Sequence, residues 1–160
     1  MNESIQLLSM TGRPRVTVAA IAERDERFLL VEEMSPSGDP VINQPAGHVE
    51  EAETIVAAVI RETLEETAYE FEPSHLVGIY LWRSPATEQS FLRICIAGTV
   101  GTHHEGRDLD DGILRPLWLT RGELSLQASR LRSPLVVHCI DDYLSGERYS
   151  LSILKSLLPD

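Results

Sequence analysis

The 160-residue sequence contains little cysteine and no long apolar run. Its two cysteines, Cys95 and Cys139, lie in apolar surroundings without CxxC spacing. We therefore expect buried free thiols in a reducing compartment, rather than a disulfide or a reactive pair. No signal peptide or membrane-spanning segment is visible, so we predict a cytoplasmic protein that has no membrane partner.

Basic residues are also scarce, since 14 lysines and arginines face 25 aspartates and glutamates, for a net charge of −11. Proteins that bind nucleic-acid polymers carry basic patches, because neutralised phosphates release counterions. The charge therefore argues against a nucleic-acid polymer as the partner. A polyphosphate would be repelled as well, unless it arrived as a metal complex.

The length suits one domain, which we place at residues 13–155 after an N-terminal extension at 1–12. Apolar periodicity predicts a hairpin of strands 15–22 and 28–32, and further strands at 76–83, 91–100 and 115–120. Helices are predicted at 54–69 and 134–144, the first with a buried stripe of Val56, Val59, Ile60 and Leu64. Interleaved strands and two helices predict an α/β fold with a mixed sheet between helical layers.

Acidic residues recur in one segment at fixed spacing. Its charged positions and one glycine are Gly47, Glu53, Arg61, Glu62, Glu65 and Glu66. If 54–69 is one helix, Glu62, Glu65 and Glu66 project close together while Arg61 points partly elsewhere. Crowded carboxylates repel one another unless hard cations lie between them, and Mg²⁺ shares such oxygen ligands with phosphates. The plainer interpretation is a solvated acidic helix face.

This spacing resembles the Nudix hydrolase family, whose box runs G-x5-E-x7-R-E-U-x-E-E-x-G-U, where U is bulky and apolar. Every charged position matches, whereas Thr63 replaces a bulky aliphatic residue and Ala68 replaces the last glycine. Ala68 would be strained if the chain needs a positive φ there. The resemblance implies an α/β/α sandwich, hydrolysis of small phosphoanhydrides, and Mg²⁺ as cofactor with Mn²⁺ as a substitute.

The resemblance also implies roles for the box residues. Glu62, Glu65, Glu66 and the backbone carbonyl of Ala46 would hold the metals, and Glu62, Glu65 and Arg61 would be the catalytic positions. Gly47, Glu53 and Arg61 would be structural, with Arg61 paired to Glu53. Which carboxylate is the general base, how many metals bind, and whether the protein is a monomer or a homodimer stay open.

Members of the family often use a further acidic group on a distant loop. The candidate segment here is 103–112, and within it Glu105 and Asp110 are the candidates. By composition alone, this acidic, glycine-containing loop is typical of solvent-exposed chain.

Substrate contacts are proposed from chemistry. Arg93 and Arg132 carry guanidinium groups that can grip phosphate through paired donors, and Trp82 and Phe91 can stack on a base or pyrimidine ring. A surface salt bridge for Arg132 and core packing for the aromatics are the alternatives.

Segments outside the box narrow the resemblance to a phosphatase branch of the family. That branch implies removal of terminal phosphate from nucleoside di- and triphosphates and from hydroxymethylpyrimidine pyrophosphate. An ADP-ribose or nucleotide-sugar pyrophosphatase and a non-catalytic Nudix-fold binding module are the alternatives.

Overall fold

The computed structural model describes residues 12–159. The strands are β1 (Arg15–Arg24), β2 (Arg27–Met34), β3 (Pro40–Asn43), β4 (Ala46–His48), β5 (Tyr69–Arg83), β6 (Ser90–His103) and β7 (Ile113–Thr120). The helices are α1 (Ile55–Thr67), α2 (Arg121–Leu126) and α3 (Leu135–Ser145), with 3₁₀ turns at Ala128–Arg130 and Leu151–Ile153. The extension predicted at 1–12 lies almost wholly outside the described residues, and the domain bounds stay a prediction.

The predicted hairpin is formed by β1 and β2, which pair antiparallel up to Arg24 and Arg27. The two residues between these strands, Asp25 and Glu26, have φ values of 52° and 60°. A left-handed conformation at both central positions matches the twist of the flanking strands in a two-residue hairpin. Asp25 tolerates this conformation better than most residues, because its short side chain can bond locally.

The sheet is mixed. Its strands lie in the order β3-β2-β1-β6-β5, while β4 also pairs with β1 and β7 with β2. The β1–β6 pair is parallel, and the other pairs are antiparallel. Strand β1 therefore lies centrally, with β4 and β2 along one edge and β6 along the other.

Core residues lie on both faces of β1. Ala19 and Ile21 pack in a cluster with Val136, Cys139 and Ile140 of α3. On the other face, Val18, Ala20 and Ala22 pack with Ala58 and Val59 of α1. The α/β/α sandwich is thereby confirmed, with α1 and α3 on opposite faces of the sheet. Cys95 and Cys139 are buried free thiols, as predicted.

Helix α1 begins after Thr54, whose hydroxyl accepts a hydrogen bond from the Ala57 N–H at 3.1 Å. It ends at Ala68, which adopts φ 60° in the left-handed region, so the expected strain at this non-glycine residue is present. Thr63 is fully buried, and its hydroxyl donates to the Val59 carbonyl at 2.7 Å. The hydroxyl is satisfied within the helix and leaves no unpaired polar group in the core.

The predicted buried stripe of α1 was wrong in its orientation. Ile60 is 37% exposed, and Val56 and Leu64 are only partly buried. The residues that turn inward are Ala58, Val59, Glu62, Thr63, Glu66 and Thr67. The helix is therefore rotated so that two carboxylates enter its buried side.

Strand β5 begins at Tyr69, earlier than the predicted start at residue 76. Phe71 is buried between the exposed Glu70 and Glu72, a period-two alternation typical of a strand with one face in the core. No helix within residues 12–159 is long and apolar enough to cross a membrane.

Candidate metal centre

Arg61 joins α1 to the loop before it. Its Nε and Nη2 donate to the two carboxylate oxygens of Glu53, and Nη2 also donates to the His48 carbonyl at 3.0 Å. These hydrogen bonds hold the pKa of Glu53 below its usual value, despite partial burial that raises it. The geometry agrees with the predicted Glu53–Arg61 pair.

Arg61 points only partly away from the acidic face of α1. Its Nη1 donates to Glu62 Oε1 at 2.8 Å and to Glu65 Oε2 at 3.0 Å. A guanidinium has five donors in a planar fork, so one arginine can serve both Glu53 and this acidic pair. Arg61 thus offsets part of the repulsion between Glu62 and Glu65.

Three carboxylates converge beside α1. Oxygen atoms of Glu62, Glu65 and Asp110 all lie within 4.8 Å of one another. The Asp110 N–H donates to the Glu65 carbonyl at 3.0 Å, which fixes the distant loop against the helix. Asp110 is therefore the loop acid that reaches the box, whereas Glu105 is exposed and absent from this group.

Glu66 lies deeper than these three residues. It is 7% exposed, and its Oε2 accepts a hydrogen bond from the Ala46 N–H at 3.0 Å. Burial raises the pKa of Glu66 to about 9, and the nearby charges of Glu33, Glu62 and Asp110 act in the same direction. Burial also raises the pKa of Glu62, against the effect of Arg61. Buried acids that are costly to ionise alone favour a cation between them.

The Ala46 carbonyl is the backbone oxygen that is predicted to bind the metal. In a strand, the N–H and C=O of one residue point to the same side, so this carbonyl is directed to the side where Glu66 binds the Ala46 N–H. At the next residue, a Cβ built on Gly47 would lie 2.1 Å from Glu62 Cδ. Only glycine leaves room for the Glu62 carboxylate against β4. The donors are all hard oxygens, which fit Mg²⁺ or Mn²⁺ rather than a soft metal.

Two of the predicted substrate residues line a cleft on the α3 face. The cleft has a volume of about 610 Å³ and lies between the end of β5 and the start of α3. Trp82 and Arg132 both line it, together with Pro134 and His138. Phe91 pairs with Trp82 across β5 and β6, and their rings stack with centroids 5.9 Å apart.

The fourth predicted residue, Arg93, is only 7% exposed. Its Nη1 donates to Gln44 Oε1 at 2.9 Å, and its Nη2 has a longer contact of 3.5 Å with Asn43 Oδ1. Direct phosphate contact by Arg93 stays a prediction.

Glu33 links the cleft to the candidate metal centre, because it approaches Arg132 and its charge raises the pKa of Glu66. It accepts a hydrogen bond from Asn43 Nδ2 at 3.2 Å and lies 3.9 Å from Arg132 Nε. Sequence reasoning did not single out Glu33, Asn43 or Gln44 as site residues. The polar pair Asn43-Gln44 directly before the Pro45-Ala46 turn was the available signal.

An α/β/α sandwich with an oxygen-only donor group beside one helix is an arrangement that can hold a divalent cation. The NUDIX domain model matches residues 12–137, so the chain belongs to the Nudix family, whose members generally use a divalent metal. It is a hydrolase that acts on phosphoanhydrides of small molecules.

Phosphatase NudJ of Escherichia coli K12 is 39% identical over 142 residues, which cover 89% of this chain and 91% of that protein. Phosphatase NudJ of Shigella flexneri has the same identity and coverage. A NUDIX hydrolase structure from Nitrosomonas europaea is 43% identical, with a TM-score of 0.88, over 90% of this chain and 97% of that chain.

Proposed function

We propose that this protein is a Mg²⁺-dependent phosphohydrolase, in which Mn²⁺ can substitute. Its substrates would be nucleoside di- and triphosphates and hydroxymethylpyrimidine pyrophosphate, and its product inorganic phosphate. The observation that carries the proposal is the convergence of carboxylate oxygens from Glu62, Glu65 and Asp110. The phosphatase name of the 39% identical relatives supports phosphate as the product.

In this proposal Glu62, Glu65, Glu66 and the Ala46 carbonyl hold the metal, and Asp110 adds a ligand from the far loop. A bound divalent cation neutralises phosphate oxygens and lowers the pKa of water. Arg61 keeps Glu62 and Glu65 oriented through its short contacts with both. Glu62 or Glu65 would accept the proton of the attacking water, since each contributes an oxygen to the converging group.

The cleft on the α3 face would hold the ring of the substrate. Trp82 is stacked on Phe91, so its orientation is fixed, and a flat ring can pack against it. Arg132 is exposed, and its pairing with Glu33 is long at 3.9 Å. Its guanidinium donors are therefore available for a substrate phosphate.

The test is a screen for phosphate release without added pyrophosphatase. The substrates would be nucleoside di- and triphosphates, hydroxymethylpyrimidine pyrophosphate, ADP-ribose and a nucleotide sugar, each with Mg²⁺, Mn²⁺ or EDTA. We expect phosphate release from the nucleoside di- and triphosphates and from hydroxymethylpyrimidine pyrophosphate. No phosphate should be released in EDTA. A Glu65→Gln preparation, purified identically, controls for contaminating phosphatases.

Turnover in EDTA, with metal removal verified, would refute the metal requirement. A different result is that the enzyme releases a nucleoside monophosphate, with phosphate detected only after pyrophosphatase is added. That result would place the attack at the α-phosphate. Preferential cleavage of ADP-ribose or the nucleotide sugar would favour the pyrophosphatase alternative.

A further inference from the structure

Arg93 is a buried cation whose hydrogen-bond partners are neutral. It projects from β6 on the α3 face, opposite Thr17 of β1 and Tyr80 of β5. Within residues 12–159, no carboxylate lies within 4 Å of its guanidinium nitrogens, and its buried Nε has no hydrogen-bond partner. Buried charges in proteins are usually paired with an opposite charge, because the loss of hydration is costly. Packing alone therefore does not explain why a charged arginine occupies this buried position.

The contacts of Arg93 lead to the segment 43–46. Arg93 donates to Gln44 Oε1 and approaches Asn43 Oδ1, and the same Oδ1 accepts the Gln44 N–H at 2.9 Å. One guanidinium thereby holds both amide side chains. Gln44 is 1% exposed and Asn43 is 7% exposed. Water therefore has little access to either side chain and cannot readily replace Arg93 as a hydrogen-bond donor.

The next two residues of the segment are fixed from other directions. The Pro45 carbonyl accepts the Ala20 N–H at 2.9 Å, and the Ala46 N–H binds Glu66. Asn43 Nδ2 donates to Glu33, whose charge acts on Glu66. The segment thus runs from Arg93 on the α3 face of the sheet to Glu66 on the α1 face.

We propose that Arg93 is a positioning residue for the metal centre: it holds Asn43 and Gln44 and so fixes the orientation of the Ala46 carbonyl, which would bind the metal. This inference rests on the proposed function, because it concerns the same centre. In this role Arg93 acts through the backbone of segment 43–46 rather than through contact with the substrate. Groups that orient metal ligands from outside the coordination sphere typically affect metal affinity by about 10- to 100-fold.

The experiment measures Mn²⁺ binding by the electron paramagnetic resonance signal of free Mn²⁺, without substrate. The variants are Arg93→Met, Gln44→Met, the double variant, and Arg93→Lys. Replacing both partners of a buried hydrogen bond by apolar groups can be nearly neutral for folding, whereas a single replacement leaves the other partner unsatisfied. The double variant therefore keeps the test valid if a single variant does not fold. Arg83→Met is the matched control, since Arg83 is an exposed arginine paired with Glu88.

We expect Arg93→Met to weaken Mn²⁺ binding about tenfold, at the lower end of that range. The double variant should bind no more weakly than the poorer single variant, and Arg93→Lys should recover part of the affinity. With nucleoside triphosphate and saturating metal, kcat should fall while KM stays near the wild-type value. The double variant should melt near the wild-type temperature, and Arg83→Met should bind Mn²⁺ as the wild type does.

Wild-type Mn²⁺ affinity in a folded Arg93→Met or double variant would overturn the inference. A rise in KM with unchanged Mn²⁺ affinity would do the same, and would assign Arg93 to substrate phosphate. Additive losses in the double variant would show that Arg93 does not act through Gln44. If the wild type itself neither bound Mn²⁺ nor released phosphate, the proposed function would fail first, so the two failures are distinguishable.

Discussion

Arg61 binds both carboxylate oxygens of Glu53, with hydrogen bonds from Nε to Oε1 at 2.6 Å and from Nη2 to Oε2 at 2.9 Å. Glu53 Oε2 also accepts the Glu50 N–H at 3.0 Å. Bidentate arginine–carboxylate pairs are among the stronger polar contacts in proteins. This pair joins the loop after β4 to α1, and Glu53 itself is not one of the converging carboxylates of the acidic centre.

Replacing Glu53 by glutamine should therefore reduce the stability of the fold more than it reduces the catalytic rate. The amide keeps one acceptor but loses the charge and one oxygen acceptor, and hydrogen bonds to charged groups contribute about 1.5–3 kcal/mol each. We expect a lower melting temperature and substantial activity in saturating metal. Glu51→Gln, at an exposed position, is the control. Loss of activity as severe as in Glu66→Gln, at an unchanged melting temperature, would assign Glu53 to the chemistry.

Gly47→Ala should disable the metal centre. A methyl group at this position would collide with the Glu62 carboxylate at 2.1 Å, so the carboxylate must leave its place. Gly101→Ala is a matched control in β6, because a Cβ there meets no atom within 4 Å. We expect Mn²⁺ affinity and kcat to fall at least tenfold in Gly47→Ala, as for loss of a group that orients a metal ligand. Equal affinity in the two variants would contradict this assignment of Gly47.

Asp110→Asn should weaken Mn²⁺ binding by about tenfold or more, because an amide removes one of three converging charges. Glu105→Gln, in the same loop, should change it little. The two variants remove the same formal charge, so a general effect of net charge would affect both equally. Titration of free Mn²⁺ gives the comparison, and equal losses would argue against direct participation by Asp110.

The raised pKa of Glu66 should make the stability of the metal-free protein depend on pH. This pKa is about 9 in the folded protein, against an ordinary value of 4.5. A raised folded-state pKa stabilises the fold below the unfolded pKa, and this contribution is lost as pH rises toward 9. The metal-free wild type should lose melting temperature between pH 5 and pH 9 more steeply than Glu66→Gln. Parallel curves for the two proteins would contradict the raised pKa.

Glu66→Gln should also lose activity by about 10²–10³, the effect of removing one strong electrostatic contact in an active site. Near pH 7 its metal-free melting temperature should stay close to the wild-type value, because Glu66 is mostly protonated there.

Trp82→Ala should raise KM for nucleoside triphosphates while leaving hydrolysis of inorganic tripolyphosphate unchanged. Tripolyphosphate has no ring, so it separates ring contact from phosphate chemistry. Leu81→Ala is the control, since Leu81 is 71% exposed and alternates with Trp82 along β5. An equal effect on both substrates would show that Trp82 stabilises the sheet and does not contact the ring of the substrate.

Much of this architecture could be predicted from local sequence signals. The hairpin and the caps at Thr54 and Thr120 depend on residues close together in the chain, and Thr120 forms its cap with Glu123. The box spacing located the acidic face of α1, because helical periodicity brings residues three and four apart together.

Other features depend on contacts that local patterns do not encode. Glu105 and Asp110 are chemically alike in sequence, and only closure of the loop onto Glu65 selects Asp110. The exposure of Ile60 reflects how α1 rotates when Glu62 and Glu66 face the sheet. The partners of Arg93 come from a turn about fifty residues away in the chain, and no local pattern points to them.

The parallel pairing of β1 with β6 has a consequence for folding kinetics. It joins Arg15 to Phe91 and Ala22 to Gly98, and the chain between those strands contains β4 and α1. The acids of the box are therefore enclosed in a loop that closes only when these distant strands meet. Closing a long loop costs entropy before its contacts form, and such pairings fold slowly. Full assembly of the acidic centre should accordingly follow the slow step of folding, well after the β1–β2 hairpin has formed.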